Sequence, residues 1–281
     1  MAQRIIVNAD DLGLAPSVND AIFEVFRAGN LNSATLMVNM PGTGDAVDRS
    51  KDHPGLAVGL HFTLTEGRAL TGQSSLTDGA GAFGSRKDLA MRSMRGQVKS
   101  IDILREFEAQ LDRAEAMGIT LTHSDSHQHV MMLPAVFDAV APVIADRELG
   151  VRLVQPPLRM VRDAWTRPMK FLKQVLNLRN ARRHRTRHTL RTNDVLVSIH
   201  DLASTGPYTA TTYQALLATT NEHEVVEVMV HPYIVDDALR AMYASDLATK
   251  EPFFQRCIAE YEALRGASVF GDRSLINFVQ L

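Results

Sequence analysis

RIIVNADDLGLAPSVNDAIFEVFRAG, residues 4–29, decides the fold class. Arg4–Asn8 is a β-branched run with the character of a buried strand, and Asp10 and Asp11 follow where that strand should end. Pro16 then opens a helix. Val18, Ala21, Ile22, Val25 and Phe26 repeat at the three- and four-residue spacing of a helix laid on a core, and Gly29 stands where such a helix stops. Strand, short polar connection and amphipathic helix together form the unit of a parallel sheet.

The unit recurs along the chain. Ala34–Val38, Leu56–Phe62, Thr120–Ser124, Val151–Val154, Val195–Ile199 and Val225–Val230 read as further strands, with Ile276–Val279 as a candidate last one. A long helical pattern runs from Ile101 to Met117. Strands alternating with helices over 281 residues predict an α/β protein, a single irregular (β/α) barrel of about seven strands, with a doubly wound open sheet as its rival. No fixed-period repeat and no Pro/Ser-rich linker divides the chain, so residues 1–281 are expected to form one domain.

Composition narrows the function classes. Lys+Arg 30 against Asp+Glu 32 leaves a formal charge of -2, so no whole-protein field recruits nucleic acid. Cys257 is the one cysteine and cannot form an internal disulfide, which points to a reducing compartment. The first residues hold an apolar run of only three, and no segment approaches the roughly 20 apolar residues of a membrane span. The expectation is a soluble, cytoplasmic protein.

Two stretches break the rhythm. Residues 66–86 are polar and glycine-rich, a lid or a binding loop; Gly79, Gly81 and Gly84 spell a GxGxxG there, but no apolar strand precedes it, so the match is accidental. Residues 165–191 carry nine cations and no acid, with Trp165, Met169, Leu172 and Leu176 on one helical stripe. That segment reads as a barrel helix with a solvated basic face, or as a surface for anionic lipid headgroups or a phosphorylated ligand.

In a parallel α/β fold, catalytic groups gather at the carboxyl ends of the strands. Asp10 and Asp11 follow the first strand, His61 ends the third, and His123, Asp125, His127 and His129 follow the fourth. His200 and Asp201 come after the sixth, and His231 after the seventh. His53, His184, His188 and His223 read as surface residues. Carboxylates meeting imidazoles from other strands suit one divalent ion, with zinc, cobalt, manganese or nickel natural for nitrogen ligands and magnesium less so. Such an ion turns water into a nucleophile near neutral pH; a second aspartate can serve as its general base and His231 can protonate the leaving group.

Four segments, in order, resemble the signatures of the YdjC-like carbohydrate deacetylases, a family that includes chitooligosaccharide and hopanoid-biosynthesis-associated deacetylases. They are Asn8–Leu14 (NADDLGL), Gly59–Thr65 (GLHFTLT), Thr122–Val130 (THSDSHQHV) and Glu227–Pro232 (EVMVHP). The resemblance implies an irregular barrel of the NodB-like deacetylase type and removal of an acetyl group from an N-acetylated sugar, a chitooligosaccharide or a sugar-bearing lipid. It implies Asp11, His61 and His127 as ligands of one divalent ion, magnesium or zinc foremost, with Asp10 as base and His231 as acid. Asp125, His129 and Arg152 are expected at the substrate. Leu12 stands where a phenylalanine is commoner, and Met131 where relatives often carry another histidine. The base and ligand roles of the adjacent Asp10 and Asp11 are interchangeable at this stage. A metal-dependent phosphoester hydrolase, which would call for two ions, and a non-catalytic saccharide- or lipid-binding protein are the alternatives. The partners expected are an N-acetylated saccharide and no nucleic acid, with peripheral contact to anionic lipid through residues 165–191 and a homodimer as further expectations.

Overall fold

The computed structural model describes residues 4–202, 206–221, 224–266, 269–271, 273 and 275–281. The elements in chain order are β1 (Arg4–Leu12), α1 (Pro16–Arg27), β2 (Ser33–Leu36), α2 (Thr43–Lys51), β3 (Ala57–Phe62), α3 (Arg86–Met94), α4 (Ser100–Ala116) and β4 (His123–Ser126). They continue with α5 (Pro134–Asp146), β5 (Gly150–Val151), α6 (Leu158–Asp163), α7 (Pro168–Arg187), β6 (Val195–Val197), α8 (Ala210–Leu217), β7 (Val225–Val230), α9 (Asp237–Met242) and α10 (Leu247–Leu264).

The seven strands form one sheet in the order β5-β4-β3-β2-β1-β7-β6, and every paired neighbour is parallel. The sheet curls until its edges meet. Val151 bridges Thr192, the Leu196 N–H donates to the Gln155 carbonyl at 2.8 Å, and the Asn193 side chain bonds both the N–H and the C=O of Leu153. Isolated bonds rather than a ladder join the last pair, and the barrel is irregular in that sense.

α1 buries Val18, Ala21, Ile22 and Val25 of the stripe foreseen for it, Phe26 only in part, and Gly29 (φ +77°) follows its C-cap Ala28. Its left-handed conformation lets the Gly29 and Asn30 N–H groups return to the Phe26 and Val25 carbonyls. β4 begins at His123, later than the expected Thr120–Ser124. Ile276–Val279 is not a strand: Leu275 makes a single parallel bridge to Ile5, and Phe278 opens a short 3-10 turn. The Phe278 ring stacks on that of His123, centroids 4.2 Å apart and planes nearly parallel, closing the end of the barrel where the strands begin. Burial of Phe278, with Ile276 partly covered, rather than pairing accounts for that run of residues.

The barrel interior is polar. Asn8, Ser33, Thr35, His61, His123, Asp125, Arg152 and Glu227 are all buried, where barrels of this kind usually stack Val, Ile and Leu. His123 needs Gly59 opposite it, because a Cβ there would lie 2.6 Å from the imidazole. Its ring meets Asn8 Oδ1 at 3.1 Å and Ser33 Oγ at 3.3 Å. Burial, reinforced by Arg152, pushes the His123 pKa down to about 3, so the ring is a neutral structural partner deep in the barrel and not part of the rim.

The glycine-rich loop is pinned rather than free. Glu106 of α4 accepts the N–H groups of Leu70 and Thr71, Asp102 accepts that of Ser75, and Arg68 and Thr77 bridge Ala82 and Phe83 in antiparallel fashion. Gly79, Gly81 and Gly84 lie within this folded loop; α3 opens at Arg86 just after them, but the preceding strand, β3, ends at Phe62, too far back for a dinucleotide fingerprint. Of the histidines expected at the surface, His184 is buried against Phe137 (rings 3.9 Å apart), and His53 packs on Phe23 and Phe26. His188 is partly covered, and His223 lies outside the described residues.

Candidate active site and metal centre

A bulge at the end of β1 makes the site. Register with β2 shifts between Ala9 and Leu12, and Asp11 takes φ +66°. In a regular strand adjacent side chains point to opposite faces; the bulge re-aims Asp11 so that both aspartates line one cleft. After β4, Gln128 (φ +52°) and His129 (φ +57°) turn the chain sharply, and His127, Gln128 and His129 reach the same cleft. The cleft holds about 600 Å³, room for a saccharide unit or two.

Asp11, His61 and His127 converge. Asp11 Oδ1 lies 3.1 Å from His61 Nε2 and 2.8 Å from His127 Nδ1. The Tyr233 hydroxyl donates to the other oxygen, Oδ2. His61 Nδ1 lies 2.6 Å from Asp125 Oδ1 and 3.0 Å from Thr35 Oγ1. A carboxylate only accepts, so Nδ1 carries the proton and a neutral His61 presents the lone pair of Nε2 to Asp11. Two acceptors facing at 3.1 Å require a cation between them. With protein atoms alone that cation is a second proton: burial opposes it, but Asp125 and the bonds to Asp11 and Asp125 prevail and raise the His61 pKa to about 10. A divalent ion satisfies the same three atoms, and the buried His127 Nε2 lacks a hydrogen-bond partner. The donor set, two imidazoles and one carboxylate with a carboxylate behind one imidazole, fits a catalytic ion with open positions.

Asp10 has different company. Arg152 grips it with both terminal nitrogens, Nη1 to Oδ2 at 2.7 Å and Nη2 to Oδ1 at 2.6 Å, while Asn8 Nδ2 adds a bond at 3.0 Å. Burial opposes ionisation, yet Arg152 overrides it and holds the Asp10 pKa well below the ordinary carboxylate range. The same guanidinium meets Asp125 at 2.5 Å and Glu227 at 2.6 Å. Burial, opposed by Arg152 and aided by Asp125 and Asp10, lifts the Glu227 pKa to about 7. Asp125 and Arg152, expected at the substrate, lie beneath the cleft floor with their polar atoms engaged; neither lines it. His129 does line it, with Nδ1 lacking a partner.

His231 enters from β7 across the cleft, Nε2 3.8 Å from Asp10 Oδ2. Glu260 of α10 accepts its backbone N–H at 2.7 Å and the Tyr213 hydroxyl at 2.9 Å, and lies 3.3 Å from His200. Burial holds the His231 pKa below its ordinary value, with Asp10 acting in the opposite sense. His200, His231 and Glu260 also come within 4.8 Å of one another, but the Glu260 oxygens are already taken by those two donors, which disfavours a second ion. Sequence reasoning missed Tyr233, Glu260 and Thr35. Glu227, a lone acid inside an otherwise apolar buried strand, was the one with a visible signal.

None of residues 67–86 lines the cleft; Glu66 alone of that loop approaches, 3.9 Å from His127. No helix among the described residues is long and apolar enough to cross a membrane.

Comparisons with known proteins give the family and the fold. A carbohydrate deacetylase of Geobacillus stearothermophilus is 38% identical over 236 residues, 84% of this chain and 82% of that one. A chitooligosaccharide deacetylase of Yersinia pestis is 41% identical over 154 residues, so that match spans 54% of this chain and 60% of the relative. The crystal structure of a proposed cellobiose-phosphate cleavage protein from Enterococcus faecalis V583 superposes over all of this chain and 99% of the other, with TM-score 0.70 at 21% identity, a likeness of fold alone. The family model described as YdjC-like protein matches residues 4–272, and the chain belongs to that family.

Proposed function

We propose that this protein hydrolyses the acetamide of an N-acetylated saccharide, with Asp11, His61 and His127 holding one divalent ion, Asp10 as the base and His231 as the acid. The observation that carries the reading is the facing pair His61 Nε2 and Asp11 Oδ1, whose proton-bearing Nδ1 is fixed by Asp125, beside a second aspartate held apart on Arg152. An ion bound there supplies Lewis acidity, polarising an amide carbonyl and making water acidic near neutral pH. The deacetylase names of the relatives from Geobacillus and Yersinia support the bond and the substrate class.

The roles of the chain's own groups follow from their surroundings. Arg152 keeps Asp10 ionised, so Oδ2 is free of its proton when water presents one. Arg152 also orients that carboxylate, since both oxygens are held by a planar fork. His231 is neutral at pH 7 and must gain a proton before it can give one to the departing amine. The nearest carrier is Asp10 Oδ2 at 3.8 Å, which supports a route from water to Asp10, to His231 Nε2, to the amine nitrogen. The backbone bond to Glu260 fixes His231 for that transfer. His129 and the cationic Lys173, Lys250 and Arg256 line the walls where the saccharide would lie.

Acetate release tests the reading. Protein stripped of metal and reloaded with zinc, cobalt, manganese, nickel or magnesium is offered N-acetylglucosamine, chitobiose, longer oligomers and an N-acetylated glycolipid. Metal-dependent acetate from any of them is expected; none from all of them, with an ion bound, would move the activity to another bond or to binding alone.

A further inference from the structure

Eleven large apolar side chains are exposed among the described residues, and seven of them fall between Leu158 and Leu176. Trp165 is 73% exposed and Met169 79%, and Phe171, Leu172, Val175 and Leu176 of α7 follow. At 100° per residue the five on α7 share an arc of about 160°. The opposite side of the helix faces inward: Lys173, Gln174 and Asn177 line the cleft, and Ala181 and His184 are buried. The exposed face is therefore the outer side of the wall of the cleft.

The charge on that face has one sign. Arg179 and Arg182 continue the arc beyond the apolar patch, and Arg167 precedes it. All three are exposed and meet no carboxylate among the described residues, whereas Arg183, Arg185 and Arg187 are engaged by Asp138 and Asp194. Asp163 is the one acid between residues 158 and 191, and it sits beside Arg162 at 3.6 Å. Pairing this face with a second copy would set unpaired arginines near their equivalents with almost nothing to offset them. Anionic headgroups supply that offset, while the tryptophan and the aliphatic side chains enter the acyl boundary.

We infer that the α6–α7 face docks on an anionic lipid surface and so holds the cleft beside the bilayer. This does not depend on which bond the cleft hydrolyses. Trp165 is the only tryptophan in the chain and reports directly on the patch. Its emission is followed, with co-sedimentation, as the full-length protein meets vesicles of phosphatidylcholine alone or mixed with phosphatidylglycerol. The expected result is a blue shift and pelleting with the mixed vesicles only, reversed by salt. Arg179→Glu with Arg182→Glu should weaken partitioning by on the order of a hundredfold without altering acetate release from a soluble saccharide. Equal binding to both vesicles, or none to either, overturns the proposal. A blue shift that grows with protein concentration in the absence of lipid, with doubled mass in sedimentation, overturns it in favour of a second copy.

Discussion

Asp10 and Asp11 are chemically identical and adjacent, yet their neighbours set them apart, and the proposed roles follow that difference. Asp11 faces two imidazoles and Tyr233; Asp10 faces a guanidinium. Asp10→Asn is expected to keep a full complement of metal while turnover falls by about 10²–10⁴. Asp11→Ala should lose metal and turnover together, and metal analysis beside acetate release separates the two. Normal turnover in Asp10→Asn would remove Asp10 from the base role. Asp125 acts through His61: Asp125→Asn can no longer insist on a proton at Nδ1, and metal affinity should weaken about 10- to 100-fold, read by competition with a chelating dye. Unchanged affinity would mean that His61 is oriented by Thr35 alone. The residues of this constellation could be picked out from the sequence because each stands at a strand end, but their division of labour could not. The partners that decide it, Arg152 and Tyr233, are 142 and 222 residues away from the aspartates they touch.

At the scale of elements, polar strands were the difficulty. His123–Ser126 has no apolar residue and still forms a strand, because Leu60 and Val151 of its neighbours flank it and its side chains find partners inside the barrel. Periodicity of apolar residues cannot mark such a strand and points to an earlier start at Thr120, and Ile276–Val279 shows the converse, an apolar run without a ladder. α1, α4 and β7 were legible throughout, since burial alone decides them. α7 was visible as a basic stretch, but not the way its second half is anchored, through His184 stacked on Phe137. Burial pushes the His184 pKa down to about 4 from an ordinary 6.5. The unfolded chain therefore takes up this proton first as pH falls, so the ring's contribution to stability is present above 6.5 and is lost on going down to about 4. Thermal melts should show a shallower loss of Tm across that window in His184→Leu than in the parent chain. Parallel slopes would mean that the ring titrates normally in the folded state.

Over the whole molecule, a barrel closed by a few isolated bonds encloses a column of charge and hydrogen bonds from Asn8 and His123 up to the rim. Arg152 stands at its centre among Asp10, Asp125 and Glu227, all buried. Such a network is costly to bury and strongly destabilised by loss of one partner, which suits a site whose geometry must not drift. Seven strands around one face were legible from spacing; closure between β5 and β6 was not, because Thr192 and Asn193 carry no pattern. The measurement that bears most directly on the proposed single-ion deacetylation is a titration of metal-stripped protein with one divalent ion, following acetate release from an N-acetylated saccharide at each addition. Turnover should start near zero, rise in proportion to bound ion and level off at one ion per chain. Full turnover in the stripped protein, or a plateau reached only at two ions, would contradict it.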